Sequence, residues 1–125
     1  MKLGDAFTMA IPPRFQISHL FFVISDPLQH DAGFVVVNIT TDHIRAGEEC
    51  VLDVGDHAWI QKKSFLSFRD AMLIDAKKAA SIQGLVGTLV TMHPPLTTII
   101  LNKIVNSARN SRSIPQTLKA FLNTC

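Results

Sequence analysis

Two histidines, His19 and His57, stand beside the ends of predicted strands. An imidazole titrates near working pH, so either residue suits the taking or giving of a proton. Near them in the pattern are the hydroxyls of Thr40 and Thr41, the adjacent ammonium groups of Lys62 and Lys63, and the single tryptophan, Trp59. Hydroxyls and ammonium groups can steady an oxyanion, and an indole can stack on a planar ligand. Each residue also has a plainer reading. A strand histidine can bond a neighbouring backbone group, and His57 can cap the Gly55-Asp56 turn. A threonine pair often closes a strand through side-chain to backbone bonds, and lysines usually point into water. Trp59 reads first as core and second as a base-stacking platform. His30 and His43 fall in loops without ligand spacing, and His93 marks a strand-to-helix junction.

Other chemistries find no support in the pattern. No glycine-rich phosphate loop, HExxH pair or nucleophile elbow is present, so no nucleotide or metal cofactor is expected. The two cysteines, Cys50 and Cys125, lack CxxC spacing and read as free thiols. A chain of 125 residues with 47% hydrophobic and 18% charged residues fits one globular domain spanning 1–125. Its longest apolar runs, 20–24 and 34–37, are far shorter than the ~20 residues of a membrane span. The amino terminus lacks the apolar core of a secretory signal, so cytoplasmic residence and no membrane partner are expected.

Charge is divided unevenly along the chain. Residues 1–75 hold six Lys/Arg against ten Asp/Glu, a net −4, while 76–125 hold six Lys/Arg and no acid, a net +6. A basic carboxy-terminal half points to an anionic partner, or to cations scattered over a solvated surface.

The elements that must position these residues follow from periodicity. A first strand is expected near 4–10 after the Gly4-Asp5 turn, with a loop over 12–16 set by Pro12 and Pro13. Segments 17–25 and 34–39 read as strands buried on both faces, since their apolar runs are continuous. A loop over 40–46, a short strand at 50–53, a turn at Gly55-Asp56 and a brief strand at 58–60 come next. Segment 61–69 fits a loop or a helical turn. Segment 71–77 reads as a strand with Met72 and Ile74 on one face and Leu73 on the other. A turn over 78–83 and a last strand over 85–92 follow.

The period then changes. Leu96, Ile99, Ile100, Lys103, Ile104 and Ala108 recur at spacings of three and four, predicting an amphipathic helix over about 95–109 opened by Pro94-Pro95. A second short helix is expected over about 115–123, burying Leu118, Phe121 and Leu122. Short strands followed by a long helix give an α+β, mainly β domain: a small bent sheet or barrel with its open side covered by the helix.

In order and spacing the chain resembles the MazF/PemK plasmid-maintenance toxins, which share an SH3-like barrel with CcdB. The likeness rests on Gly4-Asp5 before the first strand, HLFFVIS over 19–25, VVVNITT over 35–41, and GTLVTMHPPLTTIILNKI over 87–104. It implies a small SH3-like barrel of largely antiparallel strands, a homodimer, cleavage of single-stranded messenger RNA, and an acidic antitoxin as partner. The family's threonine falls on Thr40 or Thr41. The family's arginine falls on His19, a departure that puts a different ionisable residue where the family keeps its site.

RNA cleavage without a metal needs a base for the ribose 2′-OH, an acid for the leaving 5′-oxygen and a donor for the phosphorane. On that reading His19 is the acid or base, with His57 or a lysine as its counterpart. Thr40 and Thr41 contact phosphate, and Lys62, Lys63 and Trp59 bind RNA. The alternative is a non-enzymatic barrel that binds a protein partner, as a CcdB-like topoisomerase poison or a regulatory module.

Overall fold

Gly33 lies where the second hairpin must close tightly. Its φ is +126°, and a Cβ there would stand 2.2 Å from the Ile74 carbonyl oxygen. Only glycine fits, and the strand that follows can then pair with the chain ending at Ile74. The computed structural model describes residues 1–10 and 18–123. The expected loop over 12–16, the start of the second strand at Ile17, and Cys125 lie outside the described residues.

The strands are β1 (Ala6–Met9), β2 (His19–Val23), β3 (Phe34–Thr40), β4 (Val51–Leu52), β5 (Ser64–Ile74) and β6 (Thr91–His93). They form one antiparallel sheet in the order β4-β5-β3-β2-β1-β6, curled into a half-barrel. The helices are α1 (His43–Ala46), α2 (Ala76–Gly84), α3 (Thr98–Arg109) and α4 (Gln116–Leu122). The architecture is the expected α+β one. Both edge strands, β4 and β6, are very short, which limits the unpaired backbone offered to other chains.

Alternation sends the central strands' side chains to two separate cores. Leu20, Phe22 and Ile24 of the β2 segment join Val35, Val37 and Ile39 of β3 on one face, where α3 and α4 add Ile104, Ala108, Leu118 and Leu122. Phe21 and Val23 join Phe34, Val36, Phe7 and Met9 on the other, where Ile82 of α2 and Val90 close over them. Met72 and Ile74 face this second core and Leu73 the first, as the alternation predicts. A fully buried side chain of this size contributes roughly 1.5–3 kcal/mol, so each face carries a substantial core.

Several elements differ from expectation for local reasons. Segment 61–69 is loop only over 61–63 and is strand from Ser64 on. It enters β5, an 11-residue strand that also takes in most of the predicted 71–77 strand. Ala58–Ile60 is not a strand: the Ile60 amide donates to the His57 carbonyl in a turn. The predicted turn over 78–83 is helix α2, because the Asp75 carboxylate caps it by accepting from the Lys78 amide at 2.8 Å. The predicted strand over 85–92 is reduced to β6, preceded by a turn in which the Val90 amide donates to the Leu85 carbonyl.

Helix α3 begins at Thr98 rather than 95, since Thr97 accepts from the Ile100 amide and the prolines stay outside. Its buried stripe is also rotated. Ile104 and Ala108 are buried, Leu101 and Val105 pack beside them, and Ile99 is 80% exposed. Lys103 leaves the stripe to donate to the Val51 carbonyl.

Candidate functional site

The β2–β3 register sets Phe21 opposite Asn38 and Phe22 opposite Val37. Carried two residues past Phe21, it places His19 across from Thr40, at the mouth of the same strand pair. His19 is half-buried and shares the face of Phe21 and Val23. Burial pushes its imidazole below the ordinary value. The hydrogen bond to the Ile39 backbone and the charge of Asp70 pull it back up, while Arg45 adds to the depression. At neutral pH the ring is therefore uncharged and able to accept a proton.

Thr40 lies beside it on β3. Its hydroxyl oxygen accepts from the Asp42 amide at 3.1 Å, which leaves the hydroxyl proton for another acceptor. Asp42 in turn caps α1 by accepting from the Ile44 and Arg45 amides. The threonine and the helix that carries Arg45 are thus locked to one another.

Arg45 and Asp70 meet through a break in the β3–β5 register. Val36 pairs with Met72, yet Asn38, two residues on, pairs with Ser67. Between those pairs β3 spends Val37 alone while β5 spends Phe68, Arg69, Asp70 and Ala71. Bulges of this kind re-aim side chains. Here Asp70 is turned back under the sheet, where it accepts from Ser67 Oγ at 2.7 Å and from Arg45 at 3.0 and 3.2 Å. Arg69 is turned outward to solvent. Asn38 is buried in the same corner, and its side-chain oxygen has no partner among the described residues. Sequence reasoning missed Arg45, Asp70, Ser67 and Arg69. No local signal finds them, because the bulge is defined only by the register of β5 against β3.

His57 stands elsewhere. Its ring packs edge-on against Phe22, 5.7 Å between centroids, and Phe22 faces the opposite side of β2 from His19. The sheet therefore separates the two histidines. Nδ1 of His57 accepts from the Trp59 amide at 3.0 Å, so Nε2 carries the proton and donates to the Pro94 carbonyl at 2.6 Å. Both ring nitrogens are spent on backbone, and the residue ties the 55–60 turn to the start of the α3 segment.

Three other predicted residues do converge. Thr41, Trp59 and Lys62 line a groove of about 450 Å³, with Gln61 and Ser64. Trp59 is not core: it is 44% exposed, and its ring meets His93 edge-on at 6.5 Å. His93 is held in place by Thr8, 3.0 Å from Nε2 to Oγ1. Lys63 diverges from Lys62 and lays its ammonium over the Phe65 ring, 5.9 Å from the centroid. The predicted residues thus fall into four places: His19 with Thr40 at one mouth, Thr41 with Trp59 and Lys62 in the groove, Lys63 over Phe65, and His57 in the packing.

Among the described residues, no helix is long and apolar enough to cross a membrane, and no group of three His, Cys, Asp or Glu side chains is placed to hold a metal ion. No family model and no curated protein matches the chain.

Proposed function

We propose that the chain is a toxin-like endoribonuclease of MazF/PemK type that cleaves single-stranded RNA. The observation that supports this reading is the half-buried His19, bonded to the Ile39 backbone next to Thr40 and lying beside the Arg45–Asp70 pair. His19 takes the proton of the ribose 2′-OH. The 2′-oxygen then attacks phosphorus, and the bond to the 5′-oxygen breaks. That oxygen leaves with a proton from water, giving a 2′,3′-cyclic phosphate and a 5′-hydroxyl. The Thr40 hydroxyl and the Arg45 guanidinium steady the phosphorane. The groove of Thr41, Trp59 and Lys62 holds a neighbouring nucleotide by stacking and charge. A homodimer, an acidic antitoxin partner and a cytoplasmic setting belong to the same reading.

The test is incubation of purified protein with RNA in EDTA, with the new ends mapped, beside His19→Ala. Cleavage by the native chain and its loss in the variant are expected. Full activity in the variant removes His19 from the mechanism.

One observation favours the second reading, a non-enzymatic barrel that binds a protein. Both ring nitrogens of His57 are occupied by backbone, so the expected second histidine has no free nitrogen for proton transfer. Absence of cleavage on any RNA, with a stable complex formed with a purified topoisomerase subunit, selects that reading.

A further inference from the structure

The bulge that buries Asp70 has a second consequence on the outer side of the sheet. Arg69 projects there, and its Nη1 donates to the Arg45 carbonyl at 3.3 Å. Arg45 spends Nε and Nη2 on Asp70, which leaves Nη1 outside the pair, and its side chain is still 51% exposed. Both arginines line one open depression of about 430 Å³ with Ile44, Gly47 and Ser113. Among the described residues Arg69 makes no ion pair. The nearby acid Glu49 accepts from Ser111 Oγ at 3.0 Å and from the Arg112 amide at 2.8 Å, so its carboxylate is already committed.

Asp70 answers the charge of Arg45, whereas Arg69 has no acidic partner among the described residues, so the wall offers one unanswered guanidinium beside the outer Nη1 edge of another. Planar forks of donors match the oxygens of a phosphodiester, and Arg45 keeps its fork oriented by gripping Asp70. Ile44, 85% exposed at the same rim, offers an apolar surface to a base. We propose that Arg45 and Arg69 form a phosphate clamp that holds the backbone of a single-stranded nucleic acid on the flank of the His19 corner. The site is separate from the Trp59 groove, and as a path for substrate it rests on the ribonuclease reading above. A phosphate is preferred to an acidic peptide because the exposed donors are guanidinium forks beside an apolar rim, with no row of backbone partners for a peptide.

The probe is a short fluorescent 2′-deoxy oligonucleotide, which lacks the 2′-OH and survives any cleavage that uses it. Binding is followed by anisotropy over a range of salt for the native chain, Arg69→Gln and Arg69→Lys. Arg69 is exposed, so these variants should keep the native melting temperature. The expected result for Arg69→Gln is an affinity about 5- to 10-fold weaker near 0.1 M salt and a log–log salt slope shallower by about 0.7, one single-strand phosphate contact. Arg69→Lys keeps the slope. Equal binding by the native chain and Arg69→Gln overturns the clamp, as does no binding by the native chain. So does binding of a polyglutamate peptide in place of the oligonucleotide. RNA cleavage by the native chain is scored separately. Arg69-dependent binding without cleavage keeps the clamp and removes the nuclease, whereas cleavage with Arg69-independent binding does the reverse.

Discussion

Arg45 grips Asp70 with two parallel hydrogen bonds, Nε to Oδ2 at 3.2 Å and Nη2 to Oδ1 at 3.0 Å. The carboxylate is almost wholly buried, at 7% exposure of its side chain, while the arginine is half in water. The asymmetry decides what each residue contributes. Removing Arg45 leaves a carboxylate under the sheet without its two-pronged cation, although the Ser67 hydroxyl still donates to it. Removing Asp70 releases an arginine that already reaches solvent and leaves the buried but neutral Ser67 hydroxyl without its acceptor.

The first prediction follows from that asymmetry. Breaking a fully buried pair costs several kcal/mol, and the exposure of Arg45 discounts this, so Arg45→Ala should cost about 2 kcal/mol. Asp70→Ala should cost less, and the double variant should cost less than the two single changes together. Urea unfolding of the four proteins closes the cycle. A coupling near zero would mean that Ser67 and the bulge hold Asp70 without the arginine.

His57 gives the second prediction, because its geometry assigns it to the fold and not to the chemistry. His57→Leu leaves the Trp59 amide and the Pro94 carbonyl without their ring partners. At about 1 kcal/mol for each lost bond, plus imperfect rehydration, the loss should be roughly 2 kcal/mol. Any RNA cleavage, assayed well below the melting temperature, should stay within about threefold of native, roughly 0.7 kcal/mol of activation energy. A stably folded His57→Leu protein that had lost all cleavage would return this histidine to the active site.

How much of this was legible before the structure depends on whether a feature is local. The faces of β2 and β3 could be read because apolar character there is continuous and alternation does the rest. The placement of His19 opposite Thr40 could be anticipated from strand order alone. The bulge could not, because it consists of extra residues in one strand measured against its partner, and periodicity within β5 simply looks broken. That hid Arg45, Asp70 and Arg69 together. Trp59 defeats a core assignment because burial of a lone aromatic depends on distant packing, and here Ile60 takes the inward position instead. The charge asymmetry along the chain also weakens on folding. Lys103 and Lys119 cap backbone carbonyls, and Glu49 from the acidic half reaches across to Ser111 and Arg112.

The last prediction concerns acid. Burial depresses His19 below 6.5, with Arg45 helping and the Ile39 backbone and Asp70 opposing. Burial also depresses His93, and the neighbouring His57 adds to the effect. A histidine whose folded pKa lies below its unfolded one binds protons more readily in the unfolded chain. Neither residue affects stability while both states are neutral, and each begins to destabilise the fold as pH drops below about 6.5. Glu49 is also depressed below its ordinary 4.5: burial pushes it up, but its bonds to Ser113, Arg112 and Ser111 together outweigh that. Its contribution is present above that value and is lost as pH falls through its folded pKa. Urea midpoints should therefore be flat near pH 7–8 and decline below about 6.5, with a further decline below about 4.5. In His19→Gln the first decline should be shallower while the second is unchanged. Under the ribonuclease reading, cleavage by native protein should fall on the acid side with a midpoint below about 6.5, as a base of lowered pKa requires. An acid limb of the stability curve identical in native protein and His19→Gln would show that His19 titrates alike in both states, and the lowered pKa of its imidazole would be ruled out.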